Sequence, residues 1–307
     1  MCTSLAFKTN DFYFGRNMDL DYHFGERVVV TPRDYKLPLK HHSQIYVKHA
    51  MIGMATVQNE YPLYAEGVNE KGLCISALNF EGNAYYGKPI TDKLSLASYE
   101  IIPYILATCA TADEAEKVLK AVQITDTPFS DDIGVSPLHW HIADKTRSIV
   151  LESTKEGIKI HENPVGVLTN NPPFDFHLKT LSLYNHLKPK PPADGDTSLG
   201  LSMLGLPGDF SSPSRFIRLS ILSRITKCNG DEKESLATLL RLMLCVSPLK
   251  GTTLTKDEKD HYTTYTCLIN ATKGIYYWTS SMSLEINSVN LKNHLFDKSL
   301  FVTPFNS

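Results

Sequence analysis

The fold is decided by residues 2–32, CTSLAFKTNDFYFGRNMDLDYHFGERVVVTP. Three short runs rich in β-branched and aromatic residues, TSLAF, FYFGR and RVVVTP, alternate with turn-forming segments at residues 8–11 and at Phe24-Gly25. Such spacing is typical of antiparallel strands joined by hairpins. We therefore expect Cys2 to begin the first strand of an antiparallel sheet.

Outside this stretch the chain carries further strand-like and helix-like runs. Additional strands are predicted at 51–57, 63–68, 73–79, 138–143, 148–152, 157–161, 262–269, 274–280 and 284–291. Helices are predicted at 95–107, 112–122, 213–227 and 232–246. Thr111 and Glu114 form a capping box before the second helix. Ser212 and Pro213 indicate the start of the third helix and place Arg215 in its first turn.

This order of strands and helices is typical of an α+β fold with mainly antiparallel pairing. It predicts a four-layer αββα sandwich, in which two sheets pack face to face and helices cover their outer faces. There is no internal repeat, and residues 187–209, rich in proline and glycine, are interpreted as a crossing loop rather than a linker. Residues 1–307 are therefore predicted to form a single domain.

The composition argues against several function classes. Among 307 residues, 31 Lys and Arg nearly balance 33 Asp and Glu, so no strong overall field favours nucleic acid or an anionic membrane. Polar residues at positions 8–11 interrupt the apolar run that an export signal needs, and stretches such as 236–246 are too short to cross a bilayer. The sequence therefore predicts a soluble, cytoplasmic protein with a small or amphipathic partner.

Six scattered cysteines without a C-x-x-C pair favour free thiols over disulfides or a zinc site. Cys2 differs by its position. Removal of the initiator methionine is efficient when the second residue is small, so the sequence predicts a mature chain whose first residue carries both a thiol and a free α-amine. An α-amine titrates near about 7.7–8.0 and a free thiol near about 8.5, so the amine can accept the thiol proton and return it to a leaving amine. This pairing forms a nucleophile that needs no histidine.

The motifs around Cys2 make this hypothesis specific. MCTSLAF and YFGRNMDLDYHFGERVVVTPRDYK are followed in order by YPLYAEGVNEKGLCISALN, LHWHIADKTRSIVLESTKEG, NPVGVLTNNPPFD and GLPGDFSSPSRF. Together they resemble the choloylglycine hydrolase family, which includes bile salt hydrolases and penicillin V acylases, over nearly the whole chain. The resemblance implies the N-terminal-nucleophile hydrolase fold and the hydrolysis of an amide bond.

The resemblance also implies a set of catalytic residues: Cys2, Arg16, Asp19, Asn79, Asn170 and Arg215. A guanidinium at Arg16 would favour the thiolate form of the nucleophile, and a carboxylate at Asp19 would hold the α-ammonium in position. Without the resemblance, these two residues would be interpreted as an ordinary hairpin ion pair, which contributes little at a surface.

Asn79 and Asn170 are neutral donors, suited to stabilising the oxyanion of a tetrahedral intermediate. Asn171 is chemically equivalent to its neighbour, but the family pattern favours the first asparagine of the pair. Arg215 would act as a structural or electrostatic clamp. Taken singly, the two asparagines would be interpreted as turn residues and the arginine as a solvated helix charge, so these roles rest on the joint match.

Other candidate sites have simpler explanations. His139 and His141 alternate on a strand without a third ligand nearby, which favours a packed strand pair over a metal site. The glycines of 200–208 do not form a nucleotide-binding loop, and there is no G-x-S-x-G motif. The resemblance implies neither a cofactor nor a metal.

Within the family, an asparagine at position 79 is typical of bile salt hydrolases, whereas penicillin V acylases tend to carry tyrosine. The resemblance thus implies cleavage of the C24 amide of glycine- or taurine-conjugated bile salts. Apolar residues expected near the mouth of the site, with core packing as their alternative role, are Met18, Tyr22, Phe24, Phe129 and Ile133.

The resemblance further implies a homotetramer. Only Met1 precedes the cysteine, which favours a bacterial enzyme that needs no self-cleavage. Two alternatives remain open. One is a penicillin V acylase or another N-acyl amide hydrolase, such as one acting on acyl-homoserine lactones, and the other is a binding protein that has lost catalysis.

Overall fold

The computed structural model of the protein describes residues 1–195 and 198–304. The strands, in chain order, are β1 (Cys2–Lys8), β2 (Phe12–Leu20), β3 (Arg27–Thr31), β4 (Lys36–Leu37), β5 (Ile45–Tyr46), β6 (Met51–Gln58), β7 (Tyr61–Asn69), β8 (Cys74–Asn79), β9 (Leu94–Ala97), β10 (Val122–Thr125), β11 (Leu138–Ala143), β12 (Ser148–Thr154), β13 (Gly157–Glu162), β14 (Val167–Leu168), β15 (Tyr262–Asn270), β16 (Ile275–Ser280), β17 (Ser283–Asn290) and β18 (Phe301–Val302). The α-helices are α1 (Ile101–Thr108), α2 (Ala112–Ala121), α3 (Phe174–Ser182), α4 (Ser212–Ile225) and α5 (Glu232–Leu244).

Two large sheets form the centre of the molecule. The first has the strand order β14-β1-β2-β15-β16-β17, and the second has the order β13-β12-β11-β8-β7-β6-β3-β18. Every pairing within both sheets is antiparallel. Helices α4 and α5 pack on the outer face of the first sheet, and α1 and α2 pack on the second. The predicted α+β sandwich of two mainly antiparallel sheets is therefore confirmed.

The side chains of β2 point alternately to the second sheet and to the helices. Successive residues of a strand point to opposite faces. Phe14 therefore packs between the sheets, its ring 5.0 Å from that of His141. Asn17, on the other face, donates to the carbonyl oxygen of Met243 in α5 at 2.8 Å. The same alternation directs Arg16 towards the second sheet and Asp19 towards the helices.

One predicted helix begins too early. Residues 95–100 were expected to be helical, but β9 occupies residues 94–97 and a 3₁₀ turn follows at Ser98–Glu100 before α1 begins. The Glu100 carboxylate accepts hydrogen bonds from the backbone nitrogens of Ala97 and Lys40, at 2.7 and 2.6 Å, and so fixes this turn. Parallel pairing of β9 with β10, a contact distant in sequence, overrides the local helical pattern.

The other three predicted helices begin within one residue of the observed starts. Thr111 caps α2 by accepting a hydrogen bond from the backbone nitrogen of Glu114 at 3.2 Å. Helix α4 begins at Ser212, one residue before the predicted start, and carries Arg215 in its first turn. Within the predicted loop 187–209 the structure contains a short 3₁₀ turn at Leu201–Met203, and residues 196–197 lie outside the described part. Over the described ranges, no helix combines the length and apolar character needed to span a bilayer.

Both histidines of β11 are buried in hydrogen-bonded positions. His141 lies 2.8 Å from Ser4 Oγ and 2.8 Å from Ser148 Oγ, so it links the two sheets. His139 lies 2.8 Å from the carbonyl oxygen of Thr169 and 3.3 Å from the carboxylate of Glu152. Within residues 1–195 and 198–304, no group of three or more His, Cys, Asp and Glu side chains could hold a metal ion.

Glu152 anchors the start of α3 through charge as well as hydrogen bonds. Its carboxylate accepts from the backbone nitrogen of Phe174 at 2.9 Å and lies 3.4 Å from Nε2 of His161. Burial opposes ionisation, but the adjacent imidazoles of His139 and His161 lower the pKa of Glu152 to about 2. The contact with the Glu152 carboxylate in turn raises the pKa of His161. Stability from the charged His161 is therefore present below about pH 6.5 and is lost as pH rises through its raised pKa.

We expect Glu152→Gln to destabilise the protein in a pH-dependent way. The loss should be about 1–3 kcal/mol near pH 5.5, where His161 is charged, and smaller near pH 8.5. Urea unfolding at the two pH values measures both losses. Glu162→Gln, which removes an exposed partner of Arg147, is the matched control and should show no such difference. An equal loss at both pH values would contradict the assigned role of the His161 charge.

Candidate active site

Cys2 lies at the N-terminal end of β1, opposite Met18 of β2 in the antiparallel register. Its side chain is buried between the two sheets, with Sγ 3.4 Å from Nη2 of Arg16 and 3.8 Å from Sδ of Met18. A guanidinium at hydrogen-bonding distance from sulfur stabilises the thiolate form. The residue types at this strand end therefore suit a cysteine nucleophile.

Arg16 is held by groups from both sheets. Its Nη2 donates to the carbonyl oxygen of Ala77 at 2.7 Å, and its Nη1 donates to the hydroxyl of Tyr265 at 3.0 Å and to the carboxylate of Glu66. Burial alone would lower the pKa of Arg16, but Cys2, Tyr265 and Glu66 hold it well above the usual range. The arginine is therefore a permanent, fixed cation beside the sulfur.

Arg215 and Asn170 hold the backbone of Cys2. Arg215 donates to the Cys2 carbonyl oxygen at 2.6 Å, to Asn170 Oδ1 at 2.9 Å, and to the hydroxyl of Thr3. Asn170 Oδ1 also accepts from the backbone nitrogen of Cys2 at 2.7 Å. The first turn of α4 directs the guanidinium to this point, where it fixes both the amide side chain and the first strand.

The nitrogen of the Asn170 side chain is also engaged. It donates at 2.9 Å to the backbone oxygen of Asn79, the last residue of β8, whose own side chain is exposed. Asn171, the alternative to Asn170, instead donates to the backbone oxygen of Glu81 and accepts from Asn83 at 2.9 Å. The structure thus brings Asn170 to Cys2, whereas Asn171 holds the loop after β8.

Asp19 lies on the helix-facing side of β2 and is fully buried. Its Oδ1 accepts from the Thr263 hydroxyl at 2.7 Å, and its Oδ2 lies 3.9 Å from Nη1 of Arg215. Among the described residues none donates a hydrogen bond to Oδ2. Burial raises the pKa of Asp19, with Arg215 acting in the opposite direction. A buried carboxylate oxygen without a donor is a ready acceptor for an additional cationic group.

Met1 continues β1 by one residue. Its amine lies 2.9 Å from the backbone oxygen of Asp19 and 2.8 Å from Nε2 of His261, and its carbonyl oxygen accepts from the Asp19 nitrogen at 3.0 Å. Burial is the main cause that lowers the pKa of this amine. Burial likewise lowers the pKa of His261 to about 4. An α-amine one residue further in, at Cys2, would lie beside Asn170 Oδ1.

The five predicted pocket residues fall into two groups. Met18 touches the Cys2 sulfur, and Phe24 packs at the edge of the same hydrophobic cluster. Tyr22 lies between them in sequence and is 59% exposed. Phe129 packs instead with Tyr61 and Tyr99, at ring distances of 5.6 and 5.2 Å, in the cluster on the outer face of the second sheet. Among these residues the structure shows contact with the nucleophile for Met18, whereas Phe129 packs on the other side of the second sheet.

Ile133 belongs to the same turn as Phe129, since its carbonyl oxygen accepts from the Phe129 nitrogen at 3.1 Å. This turn lies in the segment that leads into β11, which begins opposite Asn79. The segment thus approaches the site from the side of Asn79.

Three residues beside the predicted set were missed from the sequence: Glu66, Tyr265 and His261. Glu66 and Tyr265 contact Arg16, and His261 contacts the N-terminal amine. The one usable signal was the single carboxylate inside the apolar strand run YPLYAEGVN, because a buried charge requires a partner. The tyrosine and the histidine carry no comparable signal.

The arrangement is suited to acyl transfer. A thiol beside a fixed cation can form a nucleophile, and an α-amine on the same residue, once Met1 is removed, can act as a general base near neutral pH. The side-chain amide of Asn170 retains a second N–H beyond the one donated to Asn79. Together these groups, which lie at the N-terminal end of β1, are suited to nucleophilic attack, proton transfer and stabilisation of an oxyanion.

Comparison with known proteins agrees with this geometry. The family described as "Linear amide C-N hydrolases, choloylglycine hydrolase family" matches residues 2–303. A bile salt hydrolase/transferase of Lactiplantibacillus plantarum is 39% identical over 316 aligned positions, which cover 100% of this chain and 98% of that protein.

Solved structures give the same result. The C2A mutant of the conjugated bile acid hydrolase from Clostridium perfringens superposes with a TM-score of 0.91 at 34% identity, covering 100% of this chain and 97% of that one. Penicillin V acylase from Agrobacterium tumefaciens shares the fold, with a TM-score of 0.77 at 21% identity over 97% of this chain and 88% of that one. By fold, site and full-length similarity, this chain belongs to the choloylglycine hydrolase family of linear amide C–N hydrolases.

Proposed function

We propose that the protein is a bile salt hydrolase that cleaves the C24 amide of glycine- or taurine-conjugated bile salts. The observation that carries the proposal is the position of Cys2, with its sulfur 3.4 Å from Arg16 and its backbone nitrogen 2.7 Å from Asn170 Oδ1. Full-length similarity to a protein named bile salt hydrolase/transferase supports the choice of substrate class. No step of the proposed reaction requires a cofactor or metal.

The reaction proceeds in two acyl transfers after Met1 has been removed. The Cys2 thiol gives its proton to its own α-amine, and the sulfur attacks the C24 carbonyl carbon to form a C–S bond and an oxyanion. The α-ammonium, held by Asp19, then protonates the departing nitrogen of glycine or taurine as the C–N bond breaks. Water attacks the thioester with the α-amine as base, which releases the bile acid and restores the thiol.

The proposed roles of the remaining residues follow from their contacts. Arg16 stabilises the thiolate, and Arg215 fixes the Cys2 backbone. The second N–H of the Asn170 amide is assigned to the oxyanion, and the exposed amide of Asn79 is assigned to it on the family resemblance. The apolar steroid requires an apolar wall, which we assign to Met18, Tyr22, Phe24, Phe129 and Ile133. Since Phe129 packs with Tyr61, its contribution requires the turn that carries it to face the substrate from the side of Asn79.

Turnover of three substrates tests the proposal. The purified enzyme is incubated separately with glycocholate, taurocholate and penicillin V, and the released amine is measured while the intact mass reports the state of Met1. Rapid release of glycine or taurine from a chain lacking Met1 is the expected result. Release from penicillin V alone would assign the protein as an acylase of the same family, and no release from any substrate would indicate a binding protein.

We expect Asn170→Ala to lower kcat for glycocholate by about 10²–10³-fold, because the variant loses an oxyanion donor. The substitution also removes the acceptor that holds the Cys2 nitrogen, so the loss should lie at the upper end of this range. Asn171→Ala is the matched control, since Asn171 contacts Glu81 and Asn83 rather than Cys2. Initial rates at saturating glycocholate measure kcat for both variants. Similar losses of kcat in the two variants would contradict the assignment of Asn170 as the oxyanion donor.

We further propose that the enzyme is a cytoplasmic homotetramer. Its six cysteines are free, a state that the reducing cytoplasm maintains. The edge strand β17 and the turn before it expose apolar side chains, with Met282 90% and Leu284 71% exposed, and an exposed apolar edge favours subunit contact. Light scattering on the purified protein should give a mass of four chains, and a monomer would contradict the assembly.

A further inference from the structure

The cation beside the Cys2 sulfur is one half of a buried ion pair. Arg16 and Glu66 are 2% and 0% exposed, and the guanidinium donates directly to the carboxylate. Arg16 comes from β2 of the first sheet, and Glu66 comes from β7 of the second. The nucleophile therefore faces a guanidinium whose charge is offset by a carboxylate on its other side.

Two tyrosines complete this cluster. The hydroxyl of Tyr265 donates to Oε2 of Glu66 at 2.9 Å, and the hydroxyl of Tyr276 donates to Oε1 at 2.6 Å. Burial raises the pKa of both phenols well above the usual range, so both remain protonated donors. With the bond from Arg16, the Glu66 carboxylate has hydrogen-bond donors on both oxygens, which is the arrangement that a buried ion pair requires.

We propose that Glu66 is a positioning residue that acts through Arg16, so that the ion pair, rather than a lone cation, sets how readily the sulfur of Cys2 ionises. The inference rests on the proposed role of Cys2 as the nucleophile. A lone buried guanidinium would stabilise the thiolate strongly, and a strongly stabilised thiolate is a weaker nucleophile. Offsetting that charge keeps the thiol able to exchange its proton with the α-amine, which the two-step reaction requires.

Other charged or titratable groups also lie near this cluster. Cys267 on β15 lies on the same face as Arg16, whereas Asp19 on β2 and Arg215 on α4 lie on the helix-facing side, near the α-amine of the chain. Burial raises the pKa of the Cys267 thiol well above its usual range, so it contributes no charge near neutral pH. Neither Asp19 nor Arg215 is substituted in any variant described below, so both are common to all the proteins compared.

Glu66→Gln removes the carboxylate charge with little change of shape. The glutamine oxygen can still accept from Arg16, and its nitrogen can donate to the Tyr276 hydroxyl once that hydroxyl rotates. Arg16 then lies beside Cys2 without a counter-charge. We expect the pH midpoint for alkylation of Cys2 by iodoacetamide to move down by about one unit. Mass spectrometry of the tryptic peptide Cys2–Lys8, CTSLAFK, reports this residue apart from the other five cysteines.

Tyr276→Phe should shift the pH midpoint for alkylation of Cys2 in the opposite direction. It removes one donor from Glu66 but leaves both charges, so the carboxylate offsets Arg16 more fully, and the midpoint should move up by less than one unit. A purely structural disturbance would move both variants in the same direction. Glu70→Gln, directly after the same strand and paired with Arg33 away from the site, is the control and should leave the midpoint unchanged.

The outcomes separate this inference from the proposed function. An unchanged or raised midpoint in Glu66→Gln overturns the inference, as does a shift of both variants in one direction. If Glu66→Gln fails to fold, Tyr276→Phe alone decides, and an unchanged or lowered midpoint overturns the inference. Alkylation by iodoacetamide is measured without substrate, so the test of Glu66 remains valid even if the enzyme cleaves an amide other than a bile salt. A parent enzyme whose Cys2 reacts at no pH would instead overturn the nucleophile itself.

Discussion

Glycocholate hydrolysis by the Cys2→Ser variant is expected to be slower than that of the parent enzyme by about 10³-fold or more. A hydroxyl ionises far less readily than a thiol, so the Arg16 guanidinium at 3.4 Å no longer yields a useful nucleophile. The fold should be unchanged, because serine is nearly isosteric with cysteine. Initial rates and thermal unfolding measure the two expectations.

Cys245→Ser is the matched control, since Cys245 is exposed and lies at the end of α5. It should keep the parent rate, which would show that serine for cysteine is not harmful in itself. A Cys2→Ser rate within tenfold of the parent would rule out the thiolate as the attacking group.

Blocking the N-terminus should have a comparable effect with the nucleophile left intact. A lysine inserted between Met1 and Cys2 prevents removal of the methionine and converts the α-amine of Cys2 into a peptide nitrogen. Such a nitrogen cannot accept the thiol proton, so we expect kcat to fall by about 10²–10⁴-fold. In the structure the preceding residue already continues β1 by pairing with Asp19, so the extension should not disturb the fold.

The control for this variant restores the free amine. A chain with a protease site directly before Cys2 should be inactive as purified and should regain the parent rate after cleavage. The intact mass confirms each state, and the rate is measured on the same sample. Full activity in the uncleaved form would exclude the α-amine as the base.

Apart from the two-residue strands β14 and β18, the strands of the two large sheets could be predicted from local pattern. The alternating runs on either side of residues 8–11 predict the β1–β2 hairpin, and Cys2 begins β1 as expected. Residues 95–100 could not be predicted in this way, because parallel pairing of β9 with β10 decides their structure. The local sequence of a segment does not determine which distant strand it will pair with.

The candidate site was predictable to a similar extent. The resemblance named Cys2, Arg16 and Asp19, and the β2 alternation explains why the last two lie on opposite faces of one sheet. It did not reveal Glu66, whose contact with Arg16 exists only because two sheets pack face to face. The direction of the Asn170 side chain, with its oxygen towards the Cys2 nitrogen, likewise depends on Arg215 from α4.

The central claim is that Cys2, as the first residue of the mature chain, carries the acyl group during turnover. The most direct measurement is mass spectrometry of the N-terminal tryptic peptide from enzyme quenched in acid while it hydrolyses glycocholate. We predict a peptide that begins at Cys2, ends at Lys8 and carries one bile acyl group as a thioester. Turnover by a chain whose peptide still begins at Met1, or an acyl group found on any other residue, would contradict the account.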